Sequence, residues 1–288
     1  MEAVVTIAEL GSFSAAAHAL FVAQPSLSKR IKSLEAELGA RLFDRSVAGV
    51  RLTDAGLAFV GPARAALGLA DGAKDAVAEV AGLHGGSIRL TALPTIVVTH
   101  LVPLMSRFRA EHDAVTVQMW GAENHRLAVS MVQDGRADLA LCDRPVLAPG
   151  LVVEHAFDQE MVAVLPPGSR VRKGRVGIRS LAHHPVVVTG PGTSTRELVD
   201  ELYGSVGLSP HVVVETDLRD ALVPSVLAGA GITFVSEALA RTAVAQGAVM
   251  VRIATPPVRP VSFVQRPGPT APALAAFVEL AARSGWQP

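Results

Sequence analysis

The run Gln24-Pro25-Ser26-Leu27-Ser28-Lys29-Arg30-Ile31-Lys32-Ser33-Leu34-Glu35 constrains this chain more than any other stretch. At helical period Leu27, Ile31, Leu34 and Leu38 form one stripe, and Pro25, Lys29, Lys32 and Ser33 lie on the other side. Pro25 suits a first helical turn, where its missing N–H costs nothing, and Gly39 suits the position that stops the helix. The spacing predicts a short helix with an apolar back and a basic, hydroxyl-rich front that carries no acid before Glu35. A front of this kind fits the major groove of DNA, where cations meet phosphates and small polar groups approach base edges.

The flanks complete the unit. Ser14 is the expected cap of a preceding helix built from Ala15, Ala16, Ala17, His18, Ala19 and Leu20, whose small residues let a second helix cross closely. Phe21-Val22-Ala23 is the connection, with Val22 filling the corner. Beyond the helix, Gly49 sits between two short extended stretches, as in a small hairpin with Arg45 at its base and Arg51 on its return strand. The formal net charge of the chain is +0, so a DNA-binding surface requires its cations to be segregated. Lys29, Arg30 and Lys32 form such a cluster.

The stretch "GSFSAAAHALFVAQPSLSKRIKSLEAELGARLFDRSVAGVRLTDAG" resembles the winged helix-turn-helix of LysR-type transcriptional regulators. The motifs "AAxxL", "QPSLSxxIxxLE", "LGxxLFxR" and "xLTxAG" carry the match along the whole N-terminal region. The resemblance implies an α/β chain with a winged helix-turn-helix over residues 1–58, a dimerising linker helix over 53–84 and a two-lobed effector domain over 87–288. Lobe one is then 87–160 plus 264–288, and lobe two is 161–263. Gln24, Ser26 and Ser28 are the expected base-edge contacts, Lys29 and Lys32 serve base and phosphate, and Arg45 and Arg51 reach the backbone from the wing.

The residues that follow agree. Thr53 suits a helix N-cap, Asp54 favours the positive end of the helix dipole, and Leu57, Val60, Arg64, Leu67, Lys74, Val77 and Val80 give an apolar stripe with charged flanks. Gly61-Pro62 is expected to kink this helix, and Gly68 and Gly72 to weaken it. The resemblance implies pairing with the same helix of a second subunit, and a tetramer built from two dimers; a helix packed on its own domain is the alternative. His84-Gly85-Gly86 marks the hinge.

From Ser87 short Val/Ile/Leu strands alternate with amphipathic stretches, a pattern that predicts α/β lobes with mainly parallel strands. Crossover segments near Phe157–Val162 and Pro257–Phe263 would leave a cleft between them. "SIRLTALPT", "GRADLAL" and "LAGAGITFVS" resemble the inducer-binding domain of the same family, which shares its fold with periplasmic binding proteins. Ligands of open α/β sheets sit at the carboxyl ends of strands, near helix N-termini. That rule selects Thr95, Asn124, His125, Cys142, Thr193 and Ser194 as effector-binding candidates, with Asn124-His125 and Thr193–Arg196 pointing to a polar or anionic ligand. Thr95, Asn124 and Thr193 also fit as plain helix caps.

Other chemistries fit less well. Gly190–Thr195 lacks the Gly-Lys-Ser/Thr ending of a phosphate loop, and the nine histidines are scattered, so neither a cofactor nor a metal is expected. Cys142 stands alone, without a resolving partner for redox sensing, and no Gly-x-Ser-x-Gly elbow is present. With no secretory leader and no long apolar run expected, the reading is a cytoplasmic, non-enzymatic regulator. Its expected partners are double-stranded DNA, a small effector, its own copies and RNA polymerase. The alternatives are a solute-binding or enzymatic α/β protein with a helical appendage, and a repressor that takes no effector.

Overall fold

The computed structural model describes residues 1–46, 49–80, 85–143, 149–171 and 174–284. The chain begins with α1 (Glu2–Leu10), α2 (Phe13–Ala19) and α3 (Gln24–Leu38), followed by the hairpin β1 (Phe43–Ser46) and β2 (Gly49–Leu52) and the long α4 (Asp54–Val80). Leu27 and Ile31 bury the back of α3 against Val4, Ile7, Phe13 and Ala16, and Val60 of α4 closes the same core. Val22 packs on it, as its corner position predicts. Gly39 ends α3 at φ 66°, in the left-handed region where a Cβ is costly. Two local expectations are corrected. Ser12, not Ser14, caps α2 and accepts from the Ala15 N–H. Leu38 is 45% exposed, because α3 outruns the core it packs on.

Glu35 fixes the hairpin to α3: its Oε1 accepts from the Leu42 and Phe43 N–H groups at 2.8 and 3.3 Å. Thr53 caps α4 through Gly56 N at 3.1 Å and donates its hydroxyl to the Arg41 carbonyl at 2.6 Å. The helix stays α-helical through Gly61 and Pro62. Its stripe divides. Val60 and Ala63 are buried, whereas Leu57 and Val77 are 63% and 71% exposed. Another face of α4 lies on the following domain, where Gly135 turns at φ 66° directly against the helix backbone: a Cβ there would stand 2.6 Å from Ala65 N. Arg64 of the same helix pairs with Glu9 of α1 at 3.2 Å.

After β3 (Gly86–Ala92) comes α5 (Pro94–Ile96), a π-helical turn at Val97–Leu101 and α6 (Val102–Glu111). Then follow β4 (Val115–Gly121), α7 (His125–Gln133), β5 (Leu139–Asp143) and the fourteen-residue β6 (Val152–Leu165). The next stretch holds α8 (Ile178–Leu181), β7 (Val186–Thr189), α9 (Ser194–Gly204) and β8 (Val212–Thr216). A 3-10 turn at Arg219–Ala221 leads to α10 (Leu222–Leu227), β9 (Thr233–Ser236), α11 (Glu237–Ala245) and β10 (Val249–Val251). The chain returns on β11 (Val258–Gln265) and closes with α12 (Pro272–Arg283).

The large sheet runs β10-β6-β11-β5-β3-β4, with β9 also on β6, and a second sheet pairs β7 with β8. β3 is parallel to β4 and β5, and β7 to β8, but β6 and β11 are antiparallel to every neighbour. The prediction of mainly parallel strands therefore fails at the centre, where the chain passes between lobes and back. The expected crossovers are these two long strands. Val261 and Phe263 of β11 belong to the core of lobe one, so the return crossing lies nearer Arg259 than residue 264. Among the described residues no helix is long and apolar enough to cross a membrane.

Candidate nucleic-acid interface and effector cleft

α3 places its polar residues outward. Gln24, Ser26, Lys29, Arg30, Lys32 and Ser33 are exposed, and Ser28 is half-buried. Gln24 Nε2 donates to Ser28 Oγ at 3.4 Å, a long contact that any better acceptor can replace. On the hairpin, Arg51 is exposed and faces Asp44 across the ladder. Arg45 pairs with Val50 through its backbone, and its side chain lies outside the described residues. Phe21, at the entry to α3, is 94% exposed with φ 54°.

The second site lies where the lobes meet. The Ala122 N–H donates to the Ala92 carbonyl at 2.8 Å, which sets the loops carrying Thr95 and Asn124 side by side at the carboxyl edge of β3 and β4. Asn124 caps α7 through Leu127 N at 2.9 Å and reaches lobe two by donating Nδ2 to the Gly192 carbonyl at 3.1 Å. Thr193 caps α9, accepting from Arg196 N. Ser194, 1% exposed, donates to Asp143 Oδ1 at 3.1 Å. Arg219 of lobe two donates to Thr195 Oγ1 at 3.3 Å and to the Glu123 carbonyl at 2.7 Å. The two walls thus touch through side chains on both sides.

Among the described residues Asp143 and Arg259 form the most buried ion pair, at 3.0 Å with side-chain exposures of 2% and 3%. A buried ion pair repays its desolvation only with further hydrogen bonds. Ser194 supplies one to Asp143, and the Ser194 carbonyl accepts from Arg259 at 3.4 Å. Burial lowers the proton affinity of Arg219, against the raising effect of Asp143 and Glu123.

The structure brings Asn124, Thr193 and Ser194 together across the lobes. It does not bring Cys142 with them. Successive strand residues point to opposite faces, so Asp143 takes the cleft and Cys142 enters the core beside Ala128, Val132 and Val264. Burial first, and then the Asp143 charge, push its thiol up to about 12, which leaves no reactive thiolate at neutral pH. His125 borders an outer groove of about 540 Å³ with Arg126, Glu197, Asp200 and Glu201. Arg196 is not offered to an anion, since Asp200 and Glu215 hold it at 3.1 and 2.6 Å. Arg144 and His84 lie outside the described residues.

Gln159, Arg219 and Arg259 escaped sequence reading as site residues. The one available signal was a polar residue between apolar ones at Arg259, in Val-Arg-Pro-Val-Ser-Phe-Val; Gln159 lies in the polar run Asp158-Gln159-Glu160 and carries no such signal.

Comparison with known proteins finds family models over most of the chain. Residues 1–57 match the model of the bacterial regulatory helix-turn-helix protein, lysR family. Residues 81–286 match the LysR substrate binding domain. The chain is 29% identical over 280 residues to the HTH-type transcriptional regulator CbbR of Rhodospirillum rubrum, covering 95% of this chain and 92% of that one. It is 32% identical over 263 residues to an uncharacterized HTH-type transcriptional regulator of Mycobacterium bovis, covering 88% and 83%. Among solved structures, a full-length OxyR variant from Pseudomonas aeruginosa shares the fold with TM-score 0.78 at 23% identity, over 99% of this chain and 92% of that one. Full-length CbnR complexed with its target DNA aligns with TM-score 0.58 at 25% identity, over 99% and 98%. These relatives are transcriptional regulators, not enzymes, and the chain belongs to the LysR family of DNA-binding transcription regulators with an effector-binding domain.

Proposed function

We propose that α3 enters the major groove, with Gln24, Ser26 and Ser28 at base edges and Lys29 and Lys32 shared between bases and phosphates. Arg51 and Arg45 serve the backbone from the hairpin. The observation that carries this reading is the outward face of α3, where exposed amide, hydroxyl and ammonium groups stand together over a buried Leu27–Ile31 back. Leu57 and Val77, left open on α4, support pairing of that helix between subunits and assembly of two dimers into a tetramer. Pairing would set two α3 helices about one DNA turn apart, so the operator is partly palindromic.

A small polar or anionic effector binds between the lobes in the cytoplasm, with Thr95, Asn124, Thr193 and Ser194 at its walls and His125 at the rim. It competes with the links that join the walls, Asn124 to Gly192 and Ser194 to Asp143. Its leverage is its difference in affinity for the two lobe arrangements, read out as DNA bending or contact with RNA polymerase. The test is fluorescence anisotropy of the purified protein on the DNA upstream of its own gene, against scrambled DNA across a salt series. Specific binding that weakens steeply with salt is expected. Equal binding to both sequences would refute sequence recognition by α3.

A further inference from the structure

The two strands that cross between lobes carry one unexplained group. Phe157, Gln159 and Met161 share one face of β6 by strand alternation. Phe157 packs on the core of lobe one and Met161 belongs to the core of lobe two. Gln159 is the residue between the cores. Its partner across the antiparallel ladder is Arg259, which points to Asp143 and Ser194, so both side chains lie on the sheet face that meets the residues joining the two lobes. Gln159 is only 5% exposed, yet neither its Nε2 nor its Oε1 meets a hydrogen-bond partner. Thr95 Oγ1 is likewise buried and unpartnered. Its helix touches β6 just before Gln159, because Thr99 bonds the Thr95 carbonyl at 2.6 Å and the next residue, His100, stacks on Phe157 at 4.3 Å.

An unmet buried amide costs free energy that an apolar residue of the same shape avoids. A chain that keeps one here has a use for it. Resting on the effector-controlled reading above, we propose that Gln159 is the specificity-determining residue at the cleft floor. It recognises the carboxamide or hydroxy-carbonyl end of a small organic anion. A carboxamide offers one donor and one acceptor edge, so its complement is a group with both. A bare carboxylate has acceptors only and would face the Gln159 carbonyl oxygen. The anionic end belongs at Arg219, whose hydrogen bonds go to the uncharged Thr195 hydroxyl and Glu123 carbonyl; the Asp143 and Glu123 carboxylates lie within reach of its charge, but Asp143 is paired directly with Arg259.

The test uses the full-length protein and its Gln159→Met variant, with succinamate and succinate as probes that differ only at one end. In the wild type, succinamate is expected to raise the Tm more than succinate at equal concentration. In the variant that preference disappears, and the ligand-free Tm rises by roughly 2 to 4 °C. A lowered Tm in the variant would make Gln159 a structural residue and overturn the proposal, as would equal or absent shifts in the wild type. Anisotropy on the upstream DNA separates the two levels. Normal DNA binding without a probe preference overturns the Gln159 assignment alone; loss of specific DNA binding in the wild type removes the regulator reading on which it rests.

Discussion

α3 and the cleft floor solve opposite problems. α3 keeps its working groups in water and needs from the core only that Leu27 and Ile31 hold its back. The cleft floor keeps its working groups dry, and each needs a partner from a distant part of the chain: Asp143 from β5, Arg259 from β11, Ser194 from α9. On the proposed reading a fault on the α3 face changes binding and leaves the fold alone, whereas a fault at the floor is first a fault in the fold.

The largest expected effect tests that contrast directly. Arg259→Met strands the Asp143 carboxylate in a dry interior and should cost about 3–5 kcal/mol in urea denaturation. Adding Asp143→Asn should recover most of it; no recovery would mean that the pair is not the source of the loss. Lys29→Ala should do the converse. Affinity for all DNA should fall, with the slope of log affinity against log salt reduced by about one unit, while the denaturation midpoint stays put.

A third effect sharpens the comparison through pH. His100 lies beneath the cleft wall, and burial lowers its pKa from 6.5 to about 4. The unfolded chain takes up that proton first, so stability is full above pH 6.5 and declines as pH falls toward 4. The slope contributed by this group is about 1 kcal/mol per pH unit within that window. It should be absent in His100→Gln, measured by denaturation between the two limits. The smallest effect belongs to the junction: Thr53→Ala removes the α4 cap and should cost about 1 kcal/mol. A loss confined to the N-terminal unit, read by hydrogen exchange, would show that the cap serves that unit first.

The same contrast explains what could be read in advance. α3, its Pro25 start, its Gly39 stop and the Thr53 and Asn124 caps were legible because each depends on neighbours a few residues away. The first half of β6 was not. Its Val153, Glu154 and His155 are exposed, so hydrophobic alternation is missing, and its ladder partner there, β11, lies about a hundred residues on. Gln159 and Arg259 look like ordinary solvated residues until the register sets them opposite each other between two cores. Cys142 and Asp143 are neighbours in sequence but lie on opposite faces of β5, and nothing local in Leu-Ala-Leu-Cys-Asp says which face meets the second lobe.

The close seat of Gly135 on α4 has a mechanical consequence. α4 shares Val60 with the core behind α3, and its backbone also touches lobe one without side chains between them. Its 27 residues make a rod of about 40 Å. The fulcrum lies at Ala65, roughly 16 Å along the helix from its Asp54 end, so with no cushion there a rocking of lobe one by roughly 5° moves that end by about 1.5 Å. A small rotation of lobe one is thus carried along α4 into the core that holds the back of α3, with no soft layer to absorb it.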